Sequence, residues 1–311
     1  MPVMRTALIA LSQSKTLQDL IVRVPVSREM ARRFVSGDTL DDAIEAVRQL
    51  NWQGMLATLD HLGENVATKE EAISAADEYL IALDALAESG VASNVSIKLT
   101  QMGMDLGDDF CYDNARRIID RAAELENFVR IDMEGSEYTE RTIELYRRFR
   151  REYANVGLVV QAYLHRTQAD VESLIADGMG HFRLCKGAYD EPATIAYRER
   201  ARVTQSMHEL IRTCFSEEAR AKGAYAAIAS HDEDVINFAR AYTYQHGIPP
   251  EQVEFQMLYG IRRELQEDLV RKGHKMRIYV PYGTHWYPYY MRRLAERPGN
   301  LFFFLRALVG D

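Results

Sequence analysis

Short runs rich in β-branched and aromatic residues recur along the chain, separated by longer stretches with helical spacing. One such stretch places Ala72, Ala76 and Leu83 on the same side of a helix, which describes a single buried stripe. The apolar runs predict eight strands, over residues 54–60, 94–99, 128–133, 156–163, 181–186, 225–230, 252–258 and 276–281.

Eight alternating strand and helix units are the number that closes a parallel barrel. We therefore expect an α/β fold, a (β/α)8 barrel of the TIM type with some distortion. A doubly wound sheet would normally carry G-x-G-x-x-G between its first strand and helix, and the sequence contains no such string. Gly178 and Gly180 come nearest, but they precede a strand.

The two ends of the chain are expected to depart from a regular barrel. Residues 1–36 are interpreted as a helical lead-in packed on the barrel, and residues 37–311 as the barrel domain with its C-terminal helices. A helix at about 286–297 precedes Pro298, and a second apolar helix begins at Leu301. One of these two helices should lie off the regular ring.

Local signals mark further helix starts. Thr167 is a candidate cap for a helix that begins at Gln168. Asp190 could cap a helix with Pro192 in its first turn, and Pro288 suits another helix start.

The composition is that of a globular domain, with 47% hydrophobic and 27% charged residues. A formal charge of −8 argues against nucleic acid as a partner. Cys111, Cys185 and Cys214 lack the spacing of a disulfide framework or zinc site, which indicates a reducing compartment. No apolar run approaches the roughly 20 residues of a membrane span, so a cytoplasmic protein is expected.

Polar side chains lie at the predicted carboxyl ends of the strands, where barrel enzymes have their active sites. Lys98 and Asp132 lie on neighbouring strands, and a buried structural ion pair is the plain alternative to a catalytic role. In RLCKGAY, Arg183 and Lys186 are three positions apart, so we expect Lys186 where the strand gives way to a loop, with Gly187 permitting close approach to a ligand. The other polar residues at strand ends are Asp60, Gln161, His231 and Tyr279.

Near the C-terminus, Tyr289, Arg292, Arg293 and Glu296 share one helix face. A solvated charged face is the plain interpretation. Adjacent arginines can also grip a planar carboxylate through forked hydrogen bonds, which suggests a carboxylate-bearing substrate. His231 lacks companions with metal-ligand spacing, so no metal site is expected. The residues alone therefore indicate a barrel enzyme for a small anionic substrate.

At these positions the sequence resembles the proline dehydrogenase family, including the matching domain of bifunctional proline utilisation proteins. The resemblance runs from about residue 37 to 308 and is carried, in order, by VSIKLT, RIDMEGS, VVQAYL, RLCKGAY, ASHDE, EFQMLYG, RIYVPYG and YYMRRLAER. Departures are small, because Cys185 stands where valine is common in the family and Ser230 where threonine is common.

The resemblance implies noncovalent FAD as the cofactor, with Arg183 near flavin N5. Residues matching cofactor-contacting positions are Gln161, Arg183, Lys186, Gly187, Ser230, His231 and Glu296. It also implies a pocket for L-proline, in which Arg292 and Arg293 hold the carboxylate. The matching pocket residues are Lys98, Asp132, Ala188, Tyr189, Leu258, Tyr279, Tyr289, Arg292 and Arg293, and those implied to be catalytic are Lys98, Asp132 and Arg183.

The implied reaction is the first step of proline catabolism, in which hydride passes from C5 of L-proline to flavin N5 and leaves 1-pyrroline-5-carboxylate. The amine should react as the neutral form, and Lys98, Asp132 and water all remain candidates for the base. A membrane quinone would reoxidise the flavin, implying brief contact with the inner face of the cytoplasmic membrane. LFFFLRALVG, at 301–310, could assist there or simply pack in the core. A separate 1-pyrroline-5-carboxylate dehydrogenase would act on the product.

Two other functions are considered. A class I aldolase-like barrel would use Lys98 or Lys186 as a Schiff base, which requires a lowered lysine pKa. A catalytically silent barrel would bind a small carboxylate through the paired arginines, without redox chemistry.

Overall fold

A closed ring of eight parallel strands forms the centre of the molecule, which confirms the predicted (β/α)8 barrel. In this computed structural model, residues 31–64 and 66–296 are described, with side chains described as far as Arg293. Strands β1 to β8 comprise Leu56–His61, Ser93–Ile97, Val129–Ile131, Val156–Gln161, His181–Cys185, Tyr225–Ala229, Glu254–Leu258 and Lys275–Tyr282. Each of the eight predicted runs overlaps one of these strands, with bounds that differ by one or more residues.

Helices follow the strands around the ring. Numbered from the first described residues, α1 to α10 comprise Leu40–Trp52, Lys69–Ser89, Asp108–Glu124, Thr139–Glu152, Thr167–Ala176, Arg200–Cys214, Glu217–Ala221, Glu233–Gln245, Arg263–Arg271 and Trp286–Glu296. α1 and α2 begin with complete capping boxes, in which Thr39 pairs with Asp42 and Thr68 with Glu71. Within the described ranges, none of the helices combines the length and apolar character needed to cross a bilayer.

Strand alternation divides the barrel into two environments. Every second side chain of a strand is directed outward, into the apolar layer beneath the helices, as are Ile97, Leu158 and Phe255. The alternate positions point inward and are largely polar, with Arg130, Glu254 and Arg277 towards the amino ends of the strands. The apolar core therefore lies between sheet and helices, and the barrel interior carries most of the buried polar and charged side chains.

β1 and β8 close the ring through six paired positions, from Leu56 opposite Arg277 to His61 opposite Tyr282. The helix that covers this seam is α1, which contacts both strands. α10 instead packs with Ala31, Phe34 and Leu62 in a separate cluster. The prediction that one C-terminal helix leaves the regular ring is thus confirmed for α10. The second, from Leu301, lies outside the described residues, and the boundary at residue 36 stays a prediction.

Two predicted helix starts are wrong in detail. Thr167 is already the first residue of α5, and its hydroxyl donates to the carbonyl of Gln161 at 2.6 Å instead of capping the helix. No helix begins at Asp190, whose carboxylate accepts from Arg198. Only a single turn follows, in which Ala196 donates to the carbonyl of Pro192, and α6 begins at Arg200. Pro288 does lie in the first turn of α10, as expected.

Candidate active site

A cavity of about 1330 Å³ opens at the carboxyl ends of the strands. Every predicted site residue whose side chain is described lines it; these are Lys98, Asp132, Gln161, Arg183, Lys186, Gly187, Ala188, Tyr189, Ser230, His231, Leu258, Tyr279, Tyr289, Arg292 and Arg293. Glu296 is the exception, since its side chain lies outside the described part of the chain. The prediction that these positions meet in one cavity is confirmed, whereas their roles are not tested by position alone.

Lys98, just beyond the end of β2, is the centre of a buried charge cluster. Its Nζ lies 2.8 Å from Asp60 Oδ1 and 3.3 Å from Asp132 Oδ2, with Glu64 Oε1 at 3.6 Å. It also donates to the Tyr279 hydroxyl at 3.2 Å, and that hydroxyl donates to Asp132 Oδ2 at 2.7 Å. The strand ends thus hold one ammonium group among three carboxylates, and the Lys98–Asp132 pair that the sequence suggested is present.

Electrostatics fixes the charge of this cluster. Burial opposes the charged form of Lys98, but Asp60, Tyr279 and Asp132 outweigh it and hold the pKa of Lys98 well above its usual value. Burial likewise opposes ionisation of Asp132, yet Lys98 and Arg183 keep its pKa below the ordinary value. For Asp60 burial dominates and raises the pKa. A protonated Lys98 is a hydrogen-bond donor, and it is not the neutral amine that Schiff-base chemistry requires.

Arg183, in the middle of β5, is buried and held along two of its edges. Its Nη1 donates to Asp132 Oδ1 at 2.8 Å and to Ser96 Oγ at 3.2 Å. Its Nε donates to Gln256 on β7. Among the described residues, no acceptor takes a hydrogen bond from Nη2. The guanidinium therefore has a fixed orientation and one nitrogen left for a ligand.

The side of the cavity at β4 and β6 carries polar groups of another kind. Gln161 donates through Nε2 to the carbonyls of Met133 and Glu134, while its buried Oε1 meets no donor within the described ranges. Lys186 ion-pairs with Asp232 and donates to Thr204 Oγ1 at 2.9 Å. His231 accepts the backbone N–H of Leu258 at its Nε2.

Within the described residues, no group of three or more His, Cys, Asp and Glu side chains could hold a metal ion.

β5 ends at Cys185, so Lys186 does lie where the strand gives way to the loop, as expected.

Gly187 allows the loop after β5 to turn across the cavity. Its φ is +106°, and a Cβ atom there would lie 2.2 Å from the Tyr163 ring. We expect Gly187→Ala to destabilise the protein by at least about 1–2 kcal/mol, the cost of a left-handed conformation in an L-residue, with the contact to Tyr163 adding to it. Urea unfolding measures the loss.

Gly178→Ala is the matched control for that variant, because Gly178 has φ +71° with open space around its missing Cβ. It should show the backbone cost alone. Equal losses for the two variants would mean that the close approach to Tyr163 is unimportant.

The predicted face of α10 points into the cavity and not to bulk solvent. Tyr289 is buried, and Arg293 lies over its ring with 5.1 Å between guanidinium carbon and ring centroid. Arg292 makes a forked ion pair with Glu64, at 2.8 and 3.0 Å. Burial opposes ionisation of Glu64, but Arg292 and Lys98 keep its pKa below the ordinary value. Arg292 is thus joined to the charge cluster through Glu64, which also lies 3.6 Å from Lys98.

Several polar residues of the cavity, among them Asp60, Glu64, Asp232 and Gln256, were not singled out as site residues from the sequence. Glu64 lies in the loop after β1, four positions beyond Asp60, and no periodicity marks it. Asp232 directly follows His231, and Gln256 shares the inward face of β7 with Leu258; strand alternation alone could have indicated Gln256. Asp60 was recognised only as a polar strand end.

Comparison with known proteins gives the same picture over most of the chain. The sequence profile described as proline dehydrogenase matches residues 43–304. Proline dehydrogenase 1 of Bacillus subtilis subsp. natto is 40% identical over 306 residues, covering 98% of this chain and 99% of that protein. The proline dehydrogenase of Deinococcus radiodurans is 39% identical over 285 residues, with 90% of each chain covered.

A solved structure with the same architecture is that of proline utilization A from Bdellovibrio bacteriovorus. It superimposes with a TM-score of 0.81 at 26% identity, covering 87% of this chain. This chain spans 33% of the length of that structure. With the sequence profile and the two relatives, the barrel and the residues gathered at its mouth lead to one conclusion: the chain belongs to the proline dehydrogenase family.

Proposed function

We propose that the protein is a proline dehydrogenase that oxidises L-proline to 1-pyrroline-5-carboxylate with noncovalent FAD. The observation that carries the proposal is the convergence, in one cavity, of two arginines on α10, the Lys98–Asp132–Tyr279 cluster and the guanidinium of Arg183. A volume of about 1330 Å³ exceeds the roughly 300–1,000 Å³ of ordinary small-molecule pockets. There is room for a dinucleotide and a small amino acid together.

The chain presents groups that suit a flavin. Gln161 Oε1 is a buried acceptor that lacks a donor among the described residues, and Arg183 Nη2 is a donor that lacks an acceptor there. The buried oxygen of Gln161 is costly unless a ligand satisfies it, and the Arg183 nitrogen is open to the same ligand. Residues proposed to hold FAD are Gln161, Arg183, Lys186, Gly187, Ser230, His231 and Glu296. When bound, the flavin supplies the acceptor for the hydride that leaves C5.

Substrate binding is proposed for the opposite wall. Arg292 and Arg293 would hold the carboxylate, with Arg292 exchanging its fork from Glu64 to the substrate. Ala188, Tyr189, Leu258, Tyr279 and Tyr289 would enclose the ring, which orients C5 and excludes water.

The same cluster favours a neutral substrate amine. Asp60, Asp132 and Glu64 each already contact a protein cation, so no unpaired carboxylate among them remains to stabilise an ammonium group. Desolvation acts in the same direction. Lys98, held protonated, is proposed as a hydrogen-bond donor that keeps Asp132 and Tyr279 in place.

Electrons are proposed to leave through a membrane quinone, and the product to pass to a separate 1-pyrroline-5-carboxylate dehydrogenase. Such a route would place the protein in the cytoplasm, with peripheral contact at the inner face of the membrane. LFFFLRALVG, at 301–310, lies outside the described residues and stays a candidate for that contact.

Purified protein should bind FAD and be yellow, and L-proline added without oxygen should bleach it, because two electrons enter the flavin. Absorbance spectroscopy of the reconstituted protein measures both. D-proline and glycine serve as control amino acids. Protein that does not retain supplied FAD would contradict the proposal, and in that case a colourless carboxylate-binding barrel would take its place. Trapping of a carbonyl substrate by borohydride at Lys98 or Lys186 would favour the aldolase alternative instead.

A further inference from the structure

Gln256 lies inside the barrel between two charged residues, at the floor of the cavity. Its Oε1 accepts a hydrogen bond from Arg183 Nε, and its Nε2 donates to Glu254 Oε1 at 2.6 Å. Gln256 and Glu254 are two positions apart on β7 and so share its inward face. Arg183 approaches them from β5, two strands away around the ring.

The orientation of the Gln256 amide is set by what flanks it. A carboxylate can only accept and a guanidinium can only donate, so the amide must turn its nitrogen to Glu254 and its oxygen to Arg183. Glu254 stays ionised, because Arg277 and hydrogen bonds from Gln256 and Tyr225 outweigh burial and lower its pKa to about 2. Arg277 Nε lies 2.9 Å from Glu254 Oε1, and Tyr225 donates to Oε2 at 2.7 Å.

This arrangement controls the direction of the Arg183 guanidinium. Asp132 and Ser96 fix Nη1, and Gln256 fixes Nε on the adjacent edge of the same plane. With both edges held, the plane cannot rotate, and Nη2 keeps its place towards the cavity. Without the Gln256 oxygen, the guanidinium could pivot about its contact with Asp132.

We infer that Gln256, itself oriented by Glu254, is a positioning residue that aims Arg183 Nη2 at the bound flavin. This inference rests on the proposed function, in which Arg183 contacts the flavin. It assigns a role in flavin chemistry to a residue pair that acts through Arg183.

The competing explanation is that Gln256 only stabilises the fold. Its contacts distinguish this role from the positioning of Arg183. A change at Gln256 leaves Glu254 paired with Arg277 and Tyr225, so the lower layer of the barrel stays neutralised. The chain also offers a matched buried glutamine, Gln266 in α9. Its amide donates to the carbonyls of Ile261 at 2.7 Å and Leu258 at 3.3 Å, and it makes no hydrogen bond to Arg183.

The test compares Gln256→Met with Gln266→Met. The first readout needs no cofactor. It is the NMR signal of the Arg183 side-chain Nε–H in apoprotein labelled with ¹⁵N-arginine, and the signal is assigned by its absence from the Arg183→Lys variant. The second is the midpoint potential of bound flavin, and the third is the split between kcat and KM. In Gln256→Met, the Arg183 Nε–H should lose its protection from exchange with water, and the midpoint potential of the bound flavin should become more negative. It should also lower kcat by about 10- to 100-fold with little change in KM for proline, as expected for a misplaced group.

Gln266→Met should lose stability while leaving the Arg183 signal and the potential as in the wild type. An unchanged Arg183 signal or potential in Gln256→Met would overturn the inference. Wild-type protein that does not bind flavin would overturn the proposed function instead, and the apoprotein signal would still report whether Gln256 holds Arg183. If Gln256→Met does not fold, Gln256→Asn withdraws the same amide by one methylene and should give the same pattern.

Discussion

Lys98→Met is expected to abolish most proline oxidation while leaving a folded but weakened barrel. Lys98 is the cation shared by Asp60 and Asp132, and it is the donor that touches Tyr279. Loss of one preorganised donor of this kind lowers turnover by about 10²- to 10³-fold. Steady-state kinetics with saturating FAD measures the change.

The stability of the Lys98→Met variant depends on Asp60. Removing one partner of a buried ion pair costs about 3–5 kcal/mol. Asp60 would lose its hydrogen bond to Lys98, but burial already raises its pKa, so it can take up a proton and reduce this cost. Urea unfolding of the apoprotein gives the free energy of unfolding directly.

The double variant Lys98→Met/Asp60→Asn separates stability from activity. It removes the uncompensated carboxylate and should recover part of the lost free energy of unfolding without recovering turnover. Turnover of Lys98→Met within a few-fold of the wild type would show that the cluster is only a structural ion pair.

Arg292→Met should weaken binding of a non-oxidisable cyclic carboxylate analogue of proline by about 2–5 kcal/mol, the range for truncating one partner of a buried charge pair. Glu64→Gln should have the opposite effect. Arg292 is engaged by the Glu64 carboxylate at 2.8 and 3.0 Å, and a neutral amide competes less for the guanidinium. Calorimetric titration of both variants measures the two dissociation constants.

An uncharged amide analogue of the same ring is the matched ligand for these titrations. Its affinity should change little in either variant, because it carries no carboxylate for Arg292 to grip. If the carboxylate analogue binds Arg292→Met as tightly as it binds the wild type, the proposed clamp is wrong. If Glu64→Gln weakens its binding, Glu64 supports the arginine and does not compete with the substrate.

The strands and most cavity residues could be predicted because strand ends are local features. Lys98, Asp132 and Gln161 each interrupt or end an apolar run, and a closed parallel barrel brings all such ends to one face. The face of α10 was predictable in the same way, since Tyr289 and Arg292 follow helical spacing.

Partnerships between distant segments could not be predicted in this way. The Glu64–Arg292 fork joins residues separated by 228 positions, and only the closed ring brings the loop after β1 beside α10. The Asp190 cap failed for a related reason. The loop after β5 is held by tertiary contacts, such as the backbone N–H of Ser136 donating to the Glu191 carboxylate at 2.7 Å. These contacts limit the tendency of proline to start a helix to the single turn that follows Pro192.

The pairing of β1 with β8 also determines when, during synthesis, the cavity can first bind its ligands. Ribosomes release the amino-terminal strand first, and its register with β8 waits for residues 275–282 to emerge. Glu64 and Arg292 meet only after that late docking. Ligand capture by nascent chains of increasing length should therefore appear abruptly once β8 and α10 have left the ribosome, and the appearance of binding would time the closure of the ring.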